Sequence, residues 1–588
     1  MTPRTVLMKR RVLSSIAAIS LFAVAAAPFS HSEDGPAIPK RVPAVFPATW
    51  RFPAGARAEF APHAMVASDS RIASEVGAQI MKEGGNAVDA AVATGFALAV
   101  AYPEAGNLGG GGYMVIRMAD GRIAALDYRE TAPHAATRDM YVGADGKVTG
   151  ESVVGPKASG VPGAVAGMLE AQRRFGSLTR ARVIAPALKL AAEGFVVDST
   201  FVRSLTGNKY RIADFDGNAV FFANGSAPAV GIRFTQPALA RTLRLISDSG
   251  AAAFYRGSIA DSIAAQMKRS GGLITKEDLA RYRAIWRTPI RSSYRGYGFI
   301  AMPPSSSGGT TVTEMLNVLE AYGPPERFGT AERVHAVASA SQRAFVDRNS
   351  KLGDPGFVRV PLSILTSKSY ARTLARNISR THADPTTSIA AQTSEGSETT
   401  HYSVVDQHGN AVATTTTLND LYGSGVYVSG AGFFLNDEMD DFTSKPGVPN
   451  MFGLIQGEAN AIAPGKRMLS AMSPTIVLDP KGNLLLIVGA RGGPRIISAT
   501  SQIILNVIDH RMSIADAMSA PRIHHQSLPD SIRVENGGFD SSTIARLQRM
   551  GHMTYELFGI ASAEAIMRVK GGYEGMPDPR SRGAAVGF

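Results

Sequence analysis

The residues best suited to chemistry are Thr399, Thr400 and His401, which open an apolar segment directly after a long polar one. Residues 377–398 contain Thr, Ser, Ala, Gln and Glu and almost no large apolar side chain, which is typical of an exposed, extended segment. A threonine hydroxyl inside a chain is a poor nucleophile. If the chain were cut before Thr399, the new α-amine, with a reference pKa of roughly 7.7–8.0, would be a base beside that hydroxyl.

Strands and helices alternate around this threonine in a pattern that favours a layered α/β architecture. The sequence after the threonine predicts a β-hairpin, with its turn at residues 407–410. Strands are predicted at residues 114–118, 123–128, 399–406, 411–418, 473–478 and 484–488. Helices are predicted at residues 74–81, 89–102, 186–194, 259–267, 331–349, 507–518 and 541–549.

Two motifs resemble cofactor or metal sites, but a purely structural role is expected for each. The glycines at residues 109–112 lack the spacing of a phosphate-binding loop and lie between a helix and a hairpin, so close backbone packing is expected. His401, His524 and His525 do not form a ligand set with the spacing of a metal site, so structural hydrogen bonding is expected. We therefore expect no cofactor and no metal.

Composition excludes several functional classes. The chain has no cysteine, which excludes disulfides, a cysteine nucleophile and thiolate metal sites. The formal charge of +12 fits an anionic substrate or simple solubility. No long Lys/Arg run with interleaved aromatic residues is present, so no nucleic-acid partner is expected.

The N-terminus predicts export. Lys9, Arg10 and Arg11 precede an apolar stretch at residues 12–27 that ends in small residues, as in a secretory signal peptide. The stretch is shorter than the roughly 20 residues that a membrane span needs. We therefore expect a cleaved signal peptide (1–27), a periplasmic or secreted location and no stable membrane insertion. A tether rich in Pro, Ala and charge is expected over residues 28–65.

The chain resembles the γ-glutamyltranspeptidases in about a dozen ordered blocks. The motifs that carry the resemblance lie at residues 84–91, 107–112, 129–133, 347–348, 352–355, 399–406, 439–442, 445–450, 472–475, 521–522, 524–526 and 578–580. They span nearly the whole chain, so the signal is highly specific.

The resemblance implies a four-layer αββα sandwich of the N-terminal-nucleophile hydrolase type, built from two autoproteolytic subunits. Self-cleavage would fall between Glu398 and Thr399 and give a large subunit (66–398) and a small subunit (399–588), which remain together as a heterodimer. Thr399 would attack first its own preceding carbonyl and then the substrate amide, forming a γ-glutamyl ester.

The resemblance also implies roles for further residues in the cleavage of glutathione and other γ-glutamyl compounds. Thr417 matches the threonine that steadies the amine of the nucleophile. The remaining matches are the oxyanion-hole glycines Gly492 and Gly493, the α-carboxylate ligands Arg129 and Ser470, and the α-ammonium ligands Asn419, Glu438 and Asp441.

Two positions depart from the family pattern. Ala471 stands where a second serine is usual, and its missing hydroxyl should weaken carboxylate binding by roughly 0.5–1.5 kcal/mol. Phe452 stands where bacterial members often have a tyrosine that latches a lid. We therefore expect hydrolysis to outcompete transfer to amino acids and peptides.

Two alternatives remain open at this point. One is an acylase of glutaryl-type side chains with the same fold, similar to cephalosporin acylases; Glu438 and Asp441 argue against it, because a glutaryl group has no ammonium. The other is a secreted binding protein that has lost self-cleavage, against which the intact Thr399, Thr417 and Gly492–Gly493 argue.

Overall fold

The computed structural model describes residues 41–386 and 399–588. The predicted signal peptide (1–27), the first part of the predicted tether and Glu398, on the amino side of the predicted cleavage point, lie outside the described residues.

The described residues form strands and helices in an interleaved order. The strands are β1 (Glu59–Ala61), β2 (Met65–Ser68), β3 (Gly111–Arg117), β4 (Ile123–Asp127), β5 (Phe195–Val196), β6 (Arg233–Phe234), β7 (Ile285–Arg287), β8 (Ile290–Tyr294), β9 (Tyr297–Ala301), β10 (Thr400–Val405), β11 (Ala411–Thr417), β12 (Tyr427–Val428), β13 (Phe433–Phe434), β14 (Thr475–Leu478), β15 (Leu484–Arg491), β16 (Ile523–His524), β17 (Ile532–Glu535), β18 (Thr554–Leu557), β19 (Ser562–Val569), β20 (Gly572–Pro577) and β21 (Ala584–Gly587).

The helices are α1 (Arg71–Lys82), α2 (Ala87–Ala101), α3 (Ala164–Phe175), α4 (Arg180–Glu193), α5 (Ser199–Gly207), α6 (Lys209–Ile212), α7 (Asn218–Phe221), α8 (Pro237–Ser249), α9 (Ala251–Tyr255), α10 (Ser258–Ser270), α11 (Lys276–Arg281), α12 (Gly308–Tyr322), α13 (Ala331–Lys351), α14 (Leu362–Leu365), α15 (Lys368–Arg376), α16 (Arg495–Ile508), α17 (Ile514–Ser519) and α18 (Ser541–Arg549).

Two seven-stranded sheets form the centre of the molecule. One has the strand order β1-β20-β19-β15-β14-β9-β8 and the other β21-β2-β10-β11-β3-β4-β7. Every neighbouring pair in both sheets is antiparallel. Each sheet combines strands from both sides of Thr399, so a cut at that residue would leave the two pieces joined by backbone hydrogen bonds.

The sheets pack face to face and carry helices on their outer faces. Strands β10 and β11 pack against β15, helices α1, α2 and α3 cover the sheet that contains β10, and helices α12, α16 and α17 cover the other sheet. Strand side chains alternate between the layers: Val404 and Val412 belong to the core beneath α2, whereas Val405 and Ala413 belong to the core between the sheets. The expected αββα order of layers is therefore present.

The predicted helix over residues 507–518 is wrong, because the chain breaks in its middle. Helix α16 ends at Ile508 and α17 begins at Ile514. Arg511 adopts a left-handed conformation with φ of 53°, and the Ser513 side chain accepts the N–H of Asp516 as an N-cap. Apolar periodicity alone did not reveal this local break.

The predicted helix start at Pro186 is also wrong. Helix α4 begins at Arg180, and the side chain of Thr179 caps it by accepting the N–H of Arg182. Pro186 lies inside the helix. The threonine cap, rather than the proline, marks this helix start.

The described part of the predicted tether packs against the body rather than standing apart from it. Strand β1 pairs with β20 at the edge of one sheet. Trp50 is buried and donates its indole N–H to the carbonyl of Ser519 at 2.9 Å. Residues 41–65 are therefore part of the folded unit.

Candidate active site

Thr399 lies immediately before β10, beside the neighbouring strand β11. Its hydroxyl donates to the hydroxyl oxygen of Thr417 at 3.3 Å, and the backbone N–H of Asn419 donates to the same oxygen at 2.7 Å. The antiparallel register pairs Thr400 with Thr416, which sets Thr399 beside Thr417. Thr399 is only 5% exposed. The hairpin predicted from the sequence therefore brings the predicted nucleophile and its predicted partner together.

The glycine-rich segment before β3 packs tightly against the strand that carries Thr417. A Cβ atom on Gly110 would lie 2.0 Å from the Thr417 carbonyl oxygen, and one on Gly112 would lie 2.4 Å from that of Thr415. The Asn107 side chain donates to the Thr417 carbonyl at 3.0 Å and accepts the N–H of Gly110. These contacts confirm that the glycines serve close backbone packing.

The turn at Gly492 and Gly493 connects β15 to α16. Both glycines have positive φ, 130° and 57°. Within residues 41–386 and 399–588 neither backbone N–H donates to a backbone carbonyl. N–H groups left over at the start of a helix are suited to stabilise a negative charge. This arrangement fits the predicted oxyanion hole.

A small cavity brings most of the predicted site residues together. Thr399, Thr417, Asn419, Arg129, Glu438, Asp441, Ser470 and Gly493 all line it. Gly492 does not line the cavity itself, but it directly precedes Gly493, which does. The remaining lining residues are Arg348, Phe452, Leu454, Ala471, Met472, Pro494 and Ile496.

Arg129 is fully buried and surrounded by carboxylates. Its Nη1 lies 2.5 Å from Oε2 of Glu438 and 3.5 Å from Oε2 of Glu130, and its Nη2 donates to Asp441. Burial lowers the pKa of Arg129, but these three carboxylates raise it by more than burial lowers it, so the guanidinium stays charged. A buried cation with several buried anions is costly unless a ligand or a proton balances the excess charge.

The excess negative charge affects the carboxylates themselves. Burial raises the pKa of Glu438 well above its ordinary value, Arg129 acts against this, and Glu130 and Asp441 add to it. Burial likewise raises the pKa of Asp441 and of Glu130, again against the effect of Arg129. The cluster is therefore poised to change its protonation when a charged group enters the cavity.

The loop at residues 450–454 contributes Phe452 and Leu454 to the lining of the cavity. The side chain of Asn450 accepts the N–H groups of Phe452 and Leu454, each at 3.1 Å. A Cβ atom on Gly493 would lie 2.7 Å from the Phe452 ring, so only glycine permits this approach. The side-chain amide of Gln526 donates to the Phe452 carbonyl at 3.3 Å. This loop is thus held through its backbone.

Sequence comparison decides the family. A family profile described as Gamma-glutamyltranspeptidase matches residues 73–588. The chain belongs to the γ-glutamyltranspeptidase family. It is 45% identical over 525 residues to the glutathione hydrolase proenzyme of Escherichia coli (strain K12), an alignment that covers 88% of this chain and 90% of that protein. It is 46% identical over 546 residues to the glutathione hydrolase proenzyme of Pseudomonas sp. (strain A14), with coverage of 90% and 95%.

Structural comparison agrees with this assignment. The cephalosporin acylase of Bacillus halodurans superposes with a TM-score of 0.80 at 28% identity and covers 92% of this chain and 99% of that one. The resemblance drawn from the sequence motifs is confirmed, and so is the four-layer fold of the N-terminal-nucleophile hydrolase type.

Arg348 is a cavity residue to which the sequence analysis gave no role. Its Nε donates to the Ser307 hydroxyl at 2.9 Å, and its Nη1 donates to the side-chain oxygens of Asn349 at 2.8 Å and Gln456 at 3.1 Å. Burial lowers its pKa to about 10. Its family motif at residues 347–348 was the available signal, but a motif match does not show which cavity the side chain reaches.

Asn419 and Ser470 lie outside the regular helices and strands, whereas Glu438 and Asp441 lie on a 3-10 helix (Glu438–Asp441). Asn419 has φ of 82° and donates its side-chain N–H to the carbonyl of Asp437 at 3.1 Å. The Ser470 carbonyl accepts the N–H of Ser307 at 2.7 Å. A left-handed asparagine beside the nucleophile is the kind of local strain that persists at functional sites.

The three singled-out histidines make structural hydrogen bonds. His401 contacts the Thr415 hydroxyl at 2.8 Å, and burial lowers its pKa to about 3. His524 contacts Ser498 and Gln526, and His525 lies 3.2 Å from Asp530. The described part of the chain contains no cluster of three metal-ligating side chains. Among its helices, none is both long and apolar enough to cross a bilayer.

Proposed function

We propose that the chain is a self-cleaving enzyme that hydrolyses and transfers γ-glutamyl groups, with Thr399 as its nucleophile. The observation that carries the proposal is the shared cavity: Thr399, Thr417 and Gly493 line it together with Arg129 and its carboxylate partners. The first group of residues suits acyl transfer, and the second suits a zwitterionic amino acid. The activity named for the relatives from E. coli and Pseudomonas supports it.

The first reaction is maturation. The Thr399 hydroxyl attacks the carbonyl carbon of Glu398, the C–N bond breaks, and the hydroxyl proton passes to the departing nitrogen. Water then hydrolyses the resulting ester, which leaves a carboxylate on Glu398 and a free amine on Thr399. The product is a heterodimer of residues up to 398 and residues 399–588, joined through both sheets.

Turnover repeats the same chemistry on a substrate. The free amine takes the hydroxyl proton, Oγ1 attacks the γ-carbonyl, and the developing oxyanion accepts N–H groups from the Gly492–Gly493 turn. The proton passes to the departing amine, and a γ-glutamyl ester remains on Thr399. Water or the amino group of an acceptor then attacks the ester and regenerates the hydroxyl.

Charge balance in the cavity favours a γ-glutamyl over a glutaryl group. Three buried carboxylates, Glu438, Asp441 and Glu130, outnumber the two buried guanidinium groups of the cavity, those of Arg129 and Arg348. A γ-glutamyl group brings one carboxylate, for Arg129 and Ser470, and one ammonium, for Asn419, Glu438 and Asp441. A glutaryl group brings only the negative charge, and an unpaired buried charge is strongly unfavourable.

One pair of substrates tests the assignment. The initial rates of release of p-nitroaniline from L-γ-glutamyl-p-nitroanilide and from glutaryl-p-nitroanilide are compared for the mature protein. We expect the γ-glutamyl compound to have the higher kcat/KM by about 10- to 100-fold, as for loss of one well-placed charged contact. A higher value for the glutaryl compound would support the acylase alternative, which the fold shared with the Bacillus halodurans enzyme makes worth testing.

Maturation has its own test. A denaturing gel should show two bands for the wild-type protein, and N-terminal sequencing of the smaller one should begin at Thr399. A single uncut band would support the binding-protein alternative. Expression of the full chain in a Gram-negative host tests export: we expect the mature protein in the periplasm or medium, without residues 1–27.

A further inference from the structure

The carboxylate of Asp69 holds the start of β10, the strand that directly follows the nucleophile. Asp69 directly follows β2, which pairs with β10 through the partners Ser68 and Tyr402. Its Oδ2 accepts the hydroxyl of Thr400, the residue after the nucleophile, at 2.9 Å. The Asp69 side chain is 2% exposed.

The other oxygen of the same carboxylate contacts Arg491, which directly precedes the Gly492–Gly493 turn (the oxyanion turn). Oδ1 of Asp69 lies 3.2 Å from Nε of Arg491, whose side chain is 17% exposed. Arg491 is the last residue of β15, and Gly492 and Gly493 follow it directly. One buried carboxylate thus connects the start of β10 in one sheet with the end of β15 in the other.

This link has a specific use once the chain is cut. Thr399 then becomes a chain terminus, and terminal residues lose order unless other contacts hold them. The attacking oxygen must also keep its distance from the oxyanion donors, because a displacement of about 1 Å can cost about 100-fold in rate. Sheet hydrogen bonds fix β10 within its own sheet but do not fix its position relative to the other sheet.

We propose that Asp69 is a positioning residue that sets the distance between the nucleophile and the oxyanion turn through Thr400 and Arg491. Asp69 would belong to the large subunit and both of its partners to the small one, so the contact also fixes the active site across the subunit boundary. The inference rests on Thr399 being the nucleophile.

The first test is Asp69→Asn, which keeps an oxygen for Thr400 but removes the charge that pairs with Arg491. We measure kcat and KM on L-γ-glutamyl-p-nitroanilide, the rate of self-cleavage on denaturing gels and the midpoint of thermal unfolding. We expect a loss of about 10- to 100-fold in kcat and slower self-cleavage. KM should stay within about twofold, because the substrate-binding side chains are unchanged.

Variants of Arg491 provide a second test if Asp69→Asn folds poorly. Arg491→Lys retains the charge and should lose less kcat than Arg491→Gln. The double variant Asp69→Asn with Arg491→Gln should be no slower than the worse single variant, because both remove one interaction. Full additivity of the two losses would overturn the proposal.

Asp509→Asn is the matched control. It breaks another buried ion pair between the predicted subunits, Asp509 with Arg333 at 2.8 Å, away from the cavity. It should lower the unfolding midpoint and leave kcat unchanged. If Asp69→Asn behaves in the same way, or keeps wild-type kcat, Asp69 is only structural. A different result would contradict the proposed function itself: turnover would then survive in the Thr399→Ala variant.

Discussion

The hydroxyl oxygen of Thr417 lies 3.3 Å from that of Thr399 and accepts the N–H of Asn419 at 2.7 Å. One oxygen on β11 therefore connects the nucleophile with the left-handed asparagine that opens the substrate-binding segment. Because Thr417 is only 1% exposed, the contact is shielded from water and its geometry is fixed by packing.

Replacing Thr417 with valine should reduce turnover while the fold is kept. Valine has nearly the same shape but no hydroxyl, so the Thr399 hydroxyl and the Asn419 N–H both lose an acceptor. Leaving a buried donor without a partner costs about 1–3 kcal/mol. We expect kcat to fall about 10- to 100-fold and self-cleavage to slow. Steady-state kinetics and denaturing gels measure both.

Thr417→Ser is the matched control for that variant. It keeps the hydroxyl and removes one methyl group, so its kcat should stay much closer to wild type. Equal losses in the serine and valine variants would show that packing of the methyl group, rather than the hydrogen bond, matters at this position.

The parts of the site that the sequence predicted depend on local patterns. The switch from a polar stretch to a strand pattern at Thr399 marks β10, and the turn after it sets the register with β11. That register alone places Thr417 beside Thr399. The family motifs then supplied Arg129, Asn419, Glu438, Asp441 and Ser470, which the structure places around the same cavity.

The parts that the sequence did not predict depend on residues far apart in the chain. Arg348, on α13, is held at the cavity by Ser307, whose hydroxyl donates to the Ser470 carbonyl. The Asp69–Arg491 pair joins residues in different sheets. No local pattern reports such juxtapositions. The number of carboxylates around Arg129 was also not predictable, since Glu130 follows it directly and could have pointed elsewhere.

Glu438→Gln should raise the KM for the substrate and make that KM less dependent on pH. In the wild type, burial and the neighbouring carboxylates raise the pKa of Glu438, so the group gains a proton and loses its hold on the ammonium as pH falls through that raised value. The KM of the wild type should therefore rise towards low pH. The variant should have a KM about 10- to 100-fold higher at alkaline pH and a weaker dependence on pH. A wild-type KM that does not change with pH would contradict this.

Ala471→Ser should improve binding of the donor. Ala471 lines the cavity beside Ser470 and is 8% exposed. A hydroxyl there adds one neutral hydrogen bond to the substrate carboxylate, worth about 0.5–1.5 kcal/mol. KM should fall about 2- to 10-fold with kcat unchanged, and the glutaryl compound should gain as much as the γ-glutamyl compound, because both carry a carboxylate. An unchanged KM for both would place the carboxylate elsewhere.

Phe452→Tyr should shift the reaction from hydrolysis towards transfer. The Phe452 ring packs on Gly493 and its carbonyl accepts from Gln526, but the side chain has no polar atom to latch its loop. A tyrosine hydroxyl would add a contact at the edge of the cavity and restrict water. Product ratios with and without an acceptor dipeptide measure the shift. We expect mostly glutamate from the wild type, and dominant transfer by the wild type would refute the reasoning.

His401→Asn should make the protein less sensitive to acid. Burial lowers the pKa of His401 to about 3, whereas the unfolded chain takes up a proton near pH 6.5. The folded state therefore loses stability as pH falls from about 6.5 towards 3, by about 1.4 kcal/mol per pH unit from this group. Asparagine carries no such proton but can still bond to Thr415.

The comparison is cleanest in the uncut Thr399→Ala background, where unfolding involves one chain. Free energies of unfolding in urea at about pH 7.5 and about pH 5, on either side of the unfolded-state pKa, give the acid-induced loss for each protein. The protein that keeps His401 should lose about 2 kcal/mol more than the His401→Asn variant. His510 and His552, whose pKa values burial also lowers, contribute equally to both proteins. Equal losses would show that His401 takes up its proton without unfolding.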